Sequence, residues 1–295
     1  MKDQAQDILI PDLEHTKPGL RWLPVVWFAI LFLVSYRVVL YRLARQWMTD
    51  PDLSHACFVP VLVAYIVWER REALAALKPT HSIFGLFLMV LGGFLLCVGP
   101  PGLDTYAAIT RLAFLISLAG IILYLRGYAT LRMLFYPLGL LLLMFPVPGF
   151  VLEKVTFPLQ ILASQLAERV LEFLGYSVLR EGNVLLLPGQ TLNIAEACSG
   201  LRSLFALTFL SQAYIYLFDS RPGMRAVMFA LVVPIAVFAN CLRIVASAVA
   251  ATYNRAWGHG TYHESTGWIM FLVAFICVVG AHLTINKLVK RAGMQ

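Results

Sequence analysis

The chain places a cysteine at a polarity boundary, in Ala195-Glu196-Ala197-Cys198-Ser199-Gly200-Leu201-Arg202-Ser203. Upstream, from Phe150 to Ala197, charge, turns and alternating apolar residues are mixed; downstream the sequence is almost wholly apolar as far as Leu217. If Ser199 opens a helix, Cys198 sits at its N-cap, facing free N–H groups and the positive end of the helix dipole. Such a position favours thiolate over thiol, and thiolate is the nucleophilic form. The N–H groups of Ser199 and Gly200 could receive an oxyanion, and Gly200 lets another chain approach closely. From position alone, a buried structural cysteine is an equally good reading.

Two later segments add groups that suit a thiol nucleophile. Arg243, in Asn240-Cys241-Leu242-Arg243, lies inside an apolar segment, where an arginine is costly and faces a polar pocket or snorkels to the interface. Asn240 is one helical turn earlier on the same face. His263 opens His263-Glu264-Ser265-Thr266-Gly267-Trp268 just before the last apolar segment and can shuttle a proton near neutral pH. His259, in a Gly-His-Gly loop, and His55, near Asp50 and Asp52, are competitors. Arg202 either pairs with Glu196, binds substrate or anchors at headgroups, and Arg111 is a further intramembrane cation. No helical spacing of His, Asp or Glu suggests a metal site, and no cofactor is expected. A thiol, a proton-transfer base and a cation for a developing oxyanion together make an acyl-transfer constellation.

These residues must be positioned by a membrane protein. The 295 residues are 60% hydrophobic and 13% charged, with mean hydropathy +0.78. A soluble domain of this size is nearer half apolar and about a quarter charged. The net charge of +7 reads as basic cytoplasmic loops rather than nucleic-acid binding. The five cysteines form no CxxC pair, which speaks against disulfide frameworks and zinc; Cys97, Cys241 and Cys277 read as small apolar residues.

The fold class expected is an all-α polytopic membrane protein with about eight transmembrane helices. The segments run from Leu23 to Tyr41, Ala56 to Trp68, Ile83 to Val98, Ala107 to Leu125, Met133 to Phe145, Ser199 to Leu217, Ala226 to Ala251 and Thr266 to Ile285. An N-terminal tail covers 1–22, a single integral domain 23–286, and a basic tail 287–295. The polar excursion at about 146–198 begins at the helix stop Pro146-Val147-Pro148-Gly149. Its first half, Val151 to Leu174, reads as an amphipathic helix suited to the membrane interface. Its second half reads as a small β-hairpin around Glu181-Gly182-Asn183, turning again at Pro188-Gly189 into Thr191-Leu192-Asn193-Ile194.

Placing the N-terminus inside puts Arg70, Arg71, Lys78, Arg126, Arg132, Arg221, Arg225, Lys287, Lys290 and Arg291 in the cytoplasm. The opposite connectors carry only Lys154, Arg169, Arg180 and Arg255. N-in, C-in topology follows, with Cys198, His263, Arg243 and the hairpin toward the outer face.

Three blocks then resemble the exosortase/archaeosortase family of membrane transpeptidases: Glu196-Ala197-Cys198-Ser199-Gly200-Leu201-Arg202, Asn240-Cys241-Leu242-Arg243-Ile244, and His263 with Gly267. Phe145-Pro146-Val147-Pro148 and Ser54-His55 are also similar, so the likeness extends from about Asp50 onward. The family commonly has glycine after that histidine, where this chain has Ala56. The resemblance implies Cys198 as nucleophile, His263 as base or acid and Arg243 as transition-state cation, with Glu196, Ser199, Gly200, Arg202 and Asn240 in support. It implies action in the cell inner membrane, on the periplasmic side, upon secreted proteins bearing a tripartite, PEP-CTERM-like C-terminal tail. The protein would pass to an envelope or lipid-linked acceptor, often in bacteria that make exopolysaccharide. Two other readings are a cysteine protease with water as acceptor, and a non-catalytic transporter or assembly subunit of polysaccharide export that uses Arg111, Arg202 and Arg243 to line a path.

Overall fold

The computed structural model describes residues 23–98, 104–188, 190–193, 201–253 and 261–292. The elements are α1 (Leu23–Thr49), a 3-10 segment (Pro51–Cys57) running into α2 (Phe58–Glu69), α3 (Arg71–Ala76), α4 (Ile83–Cys97), α5 (Asp104–Arg126), α6 (Tyr128–Leu140) with a 3-10 extension to Met144, α7 (Gly149–Phe173), β1 (Leu179–Glu181), β2 (Val184–Leu187), β3 (Gln190–Asn193), α8 (Leu201–Phe218), α9 (Pro222–Tyr253) and α10 (Thr261–Arg291). Among the described residues, five stretches are long and apolar enough to cross a membrane: Leu23–Thr49, Pro51–Glu69, Tyr106–Arg126, Pro222–Tyr253 and Thr266–Arg291. Three shorter apolar helices, Ile83–Cys97, Tyr128–Met144 and Leu204–Phe218, occupy the places of the remaining expected segments. The N-terminal tail, 1–22, and the Pro100-Pro101-Gly102 break lie outside the described residues.

The second apolar stretch, short by hydropathy, is completed at its start by the 3-10 turn. Asp50 caps that turn by accepting from the Asp52 N–H at 2.9 Å, and Pro51 occupies its first position. The expected hairpin is a three-stranded antiparallel meander, β1-β2-β3. Leu179 pairs with Leu186 and Leu185 with Leu192. The chain after Pro188 adds a third strand because Leu192 and Leu185, both buried, share one face.

Helix α9 is the axis of the second half. One face, Val237, Cys241, Ile244, Val245 and Ala248, packs with Ala163, Ala167 and Leu171 of α7 and with Leu185, Leu187 and Leu192 of the sheet. Another face, Met228, Val232 and Ala239, packs with Leu207 and Ile215 of α8 and Ala274 and Val278 of α10. Helix α7, the expected amphipathic helix, packs one face on α9. Its alanines, one turn apart, form the contact with α9, because small side chains let two helices approach closely. Leu162, Leu166, Val170 and Phe173 stay exposed. The polar face of α7 holds the sheet: Glu168 accepts from the Arg180 main-chain N–H at 3.2 Å and from its Nε at 3.0 Å, and Asn183 donates to Gln160 at 3.0 Å.

In the first half, α4 and α5 touch backbone to backbone. A methyl group on Gly120 would meet the Met89 nitrogen at 2.8 Å and the Gly85 carbonyl at 2.9 Å. Tyr36 of α1 locks this pair, its hydroxyl 2.8 Å from Ser117 Oγ.

A buried polar network ties α8, α9 and α10 together at the end where α9 begins. Asp219, in the turn after α8, accepts from Arg221 Nε at 3.0 Å and lies 3.2 Å from His282 Nε2 of α10. The other ring nitrogen of His282 is 2.9 Å from the Tyr214 hydroxyl. Arg221 also reaches Asn286 Oδ1 at 3.0 Å. The Arg221 guanidinium, with help from His282, holds the Asp219 carboxyl below the usual carboxylate range, against the opposing effect of burial. Because the folded pKa lies below the unfolded one, the carboxylate contributes stability that is fully present above about pH 4 and lost as the pH falls through the folded value. Thermal unfolding of the purified protein should therefore show a fall in Tm on acidification below about pH 4 that Asp219→Asn reduces. An unchanged acid limb in that variant would remove Asp219 from the account.

Candidate functional site

Helix α9 gives Arg243 its surroundings. At 100° per residue, Asn240, Arg243 and Ser247 form one stripe that runs between the helix's two apolar faces. Asn240 and Ser247 are buried and Arg243 half-buried. The arginine thus points into the seam between the α7–sheet side and the α8–α10 side.

Gly267 of α10 closes this seam. A methyl group built on it would stand 3.4 Å from the Arg243 Nη2 and 3.5 Å from its Cζ. Glycine here lets the flat guanidinium lie against the α10 backbone. The expected connector from Thr252 to Ser265 is shorter than the sequence suggests: α9 continues to Tyr253, and α10 begins at Thr261 rather than Thr266. His263 is therefore a residue of the first helical turn, one turn before Gly267. The structure so brings the His263 turn of α10 and the Arg243 guanidinium to the same place. The side chain of His263 lies outside the described residues, as does that of Arg202 in the first turn of α8; His259 lies wholly outside them.

Glu196, Cys198, Ser199 and Gly200 also lie outside the described residues. Both ends of their connection are described, however. Asn193 closes β3, whose Leu192 is buried against α9, and Leu201 opens α8, which packs on the other side of α9. The cysteine block is therefore tethered at each end to elements that rest on the helix carrying Arg243.

Arg111, a further intramembrane cation, is bonded at the end of α1. Arg111 donates to the Pro146 carbonyl at 2.9 Å and to Gln46 Oε1 at 3.2 Å. Beside it, Trp47 Nε1 donates to the Met144 carbonyl at 3.0 Å. These bonds clamp the Phe145-Pro146-Val147-Pro148 turn to the end of α1. Cys241 is packed in the α7–α9 core, and Cys57, Cys97, Cys241 and Cys277 are all free thiols. Among the described residues no cluster of His, Cys, Asp and Glu could hold a metal ion. His55, ranked low by sequence, is buried in the 3-10 segment, its ring 6.3 Å from that of Phe209 on α8. Ala56 beside it is fully buried.

Sequence reasoning quoted Gly267 without a role. The signal was its spacing of four from His263, hidden by starting the helix at Thr266. An apolar groove of about 530 Å³ runs between α7 and α9, lined by Leu159, Leu162, Leu166, Pro234, Phe238 and Leu242.

No curated protein and no solved structure gave a significant match to the chain. The model of the transmembrane exosortases (Exosortase_EpsH) matches residues 47–280, a region that includes the cysteine block, the Asn240–Ile244 block and the His263–Gly267 turn. On that match, the chain belongs to the transmembrane exosortase family.

Proposed function

We propose that this protein is a membrane-embedded cysteine transpeptidase that cleaves the C-terminal sorting tail of secreted proteins and transfers them to a cell-envelope acceptor. All eight apolar helices cross the inner membrane, with both termini on the cytoplasmic side and the Arg243 end of α9 toward the periplasm. The observation that carries the reading is the seating of the Arg243 guanidinium against Gly267, one turn from His263. It supports a common site for two of the three groups that acyl transfer by a thiol requires.

In the reaction, the Cys198 thiolate attacks the scissile carbonyl carbon. The oxyanion that forms is stabilised by Arg243 and by the N–H groups at the opening of α8. The C–N bond breaks, the leaving amine takes a proton from His263, and a thioester remains on Cys198. An acceptor nucleophile gives its proton to His263 and attacks the thioester, which regenerates the thiolate. Glu196, Ser199, Arg202 and Asn240 serve to position these groups. The apolar groove between α7 and α9 suits the hydrophobic segment of the tail.

The test is to trap the thioester from a co-expressed tailed substrate and map the adduct by mass spectrometry. An adduct on Cys198 is expected; an adduct elsewhere, or processing with none, overturns the mechanism. The mass of the product's new C-terminus separates transfer from hydrolysis: an adduct supports transpeptidation, and a free acid supports a protease with water as acceptor.

A further inference from the structure

Helix α1 carries Arg37, Arg42 and Arg45 and no Asp or Glu. In the topology proposed above, this end of α1 faces the periplasm, the side that membrane proteins otherwise keep poor in basic residues. An arginine on a spanning helix is costly unless a polar group or a cavity receives it. For Arg42 the fold provides a cavity. A slot of about 300 Å³ runs along α1, between it and the neighbouring ends of α4 and α5, and its lining includes Val38, Val39, Arg42, Gln46, Leu96 and Arg111.

The α1 wall of the slot is graded in polarity. Val38 and Val39 lie toward the middle of the helix, and Arg42 and Gln46 lie nearer its end, one turn apart on one face. Opposite them Arg111 is held in place: it donates to the Pro146 carbonyl at 2.9 Å and to Gln46 Oε1 at 3.2 Å. An arginine can only donate, so Gln46 must turn its amide oxygen to Arg111 and its NH2 donors away. The hydroxyls of Tyr106 and Thr110, also in the lining, donate to the carbonyls of Leu96 and Ala107 at 3.1 and 3.0 Å. The lining therefore offers two guanidinium groups and an amide, with no carboxylate among its residues. Such a set is complementary to an anion, and a forked guanidinium matches the oxygens of a phosphate. Beyond the arginines, Val38 and Val39 offer a surface for a hydrocarbon chain. Val38 is 51% exposed, so the slot opens sideways, toward lipid in a membrane-embedded bundle. A peptide helix does not fit, because one turn of α-helix, about 10 Å across and 5.4 Å high, fills about 400 Å³.

We propose that the slot between α1 and α5 binds the phosphate headgroup of an anionic membrane lipid. Arg42 and Arg111 face the phosphate, and the first part of the chain lies along Val38 and Val39. The site stands apart from the thiol chemistry, and only the leaflet it serves depends on the proposed topology.

The purified full-length protein is reconstituted in nanodiscs of mixed phosphatidylcholine and phosphatidylglycerol, and the lipids that stay bound on release are counted by native mass spectrometry. Phosphatidylcholine carries the same phosphate with a cation beside it, so the protein should retain phosphatidylglycerol in preference. Arg42→Gln is expected to lower that retention about tenfold or more, the loss of a hydrogen bond between charged groups. Arg45→Gln removes the same charge from the same helix outside the lining and should stay within about twofold. Val38→Trp fills the chain end of the slot without changing charge and should also lower retention. Cys198→Ala should retain lipid as the unsubstituted protein does, so a failure of the catalytic reading and a failure of this one are read separately. Thermal unfolding of each variant near the unsubstituted temperature confirms that the fold is kept; Arg42 and Val38 are both exposed. Undiminished retention in Arg42→Gln and Val38→Trp overturns the inference. So does an equal loss in Arg45→Gln, which would mean a diffuse attraction to the end of α1. Displacement of phosphatidylglycerol by inorganic phosphate at equal concentration would assign the slot to a soluble anion and overturn the lipid.

Discussion

Cys198→Ala is expected to reach the membrane at normal abundance and to lose processing of a tailed substrate by about a thousandfold or more, since no covalent intermediate can form without the sulfur. Normal insertion follows from the position of the residue. It belongs to the seven-residue connection between Asn193 and Leu201, while α7, α8, α9, α10 and the sheet are held together by two apolar clusters built from residues of the helices and strands themselves. Cys198→Ser carries the same expectation, because a serine hydroxyl of ordinary pKa is a far weaker nucleophile than a thiolate. Immunoblotting of membranes with pulse–chase of the substrate reads both quantities. Abundant protein with unimpaired processing would exclude thiol catalysis.

Arg243→Lys is expected to lower processing by about a hundredfold, in the range found when one donor to an oxyanion is removed, while leaving abundance unchanged. Lysine keeps the charge but replaces a planar fork with a point charge on a flexible stem. In this fold the plane matters, because the guanidinium lies against the backbone at Gly267. Two substitutions at Gly267 sharpen the test. A Cβ there meets the guanidinium at 3.4 Å, which is ordinary van der Waals contact, so Gly267→Ala should be tolerated. Gly267→Val adds two further carbons beside the guanidinium and should push it aside, with a loss approaching that of Arg243→Lys. Equal activity in Gly267→Ala and Gly267→Val, or full activity in Arg243→Lys, would show that the seat of the guanidinium has no part in the reaction.

Hydropathy marked every apolar helix of this chain, because each buries or exposes apolar side chains for most of its length. It misplaced ends where polar residues continue a helix: Thr261 to Ser265 belong to α10, and the 3-10 turn Pro51–Cys57 extends the second apolar stretch. The amphipathic character of α7 was legible, but its partner was not. Exposed Leu162 and Leu166 and buried Ala163 and Ala167 are all apolar, and only the close approach of α9 distinguishes them. The candidate site residues stand out in the sequence by residue type and motif. The contact that unites Arg243 with the His263 turn is made at a glycine, which carries no chemical signal of its own. His55 and Arg111 show the opposite error. Both are polar residues in apolar surroundings, and sequence cannot say that one is clamped to a proline carbonyl while the other is buried with a nitrogen left open.

The Asp219 network has a mechanical consequence for chemistry at the far end of the bundle. His282 and Asn286 fasten α10 to the turn between α8 and α9, and Gly267 stands fifteen residues away along the same rigid rod. That distance is about 22 Å, so a tilt of roughly three degrees at the fastening swings Gly267 by about 1 Å. A shift of that size in a reacting group can cost about a hundredfold in rate. The carboxylate of Asp219 is thus the fulcrum of a lever whose tip rests on the Arg243 guanidinium, and alignment at one end of the protein is set by a hinge pin at the other.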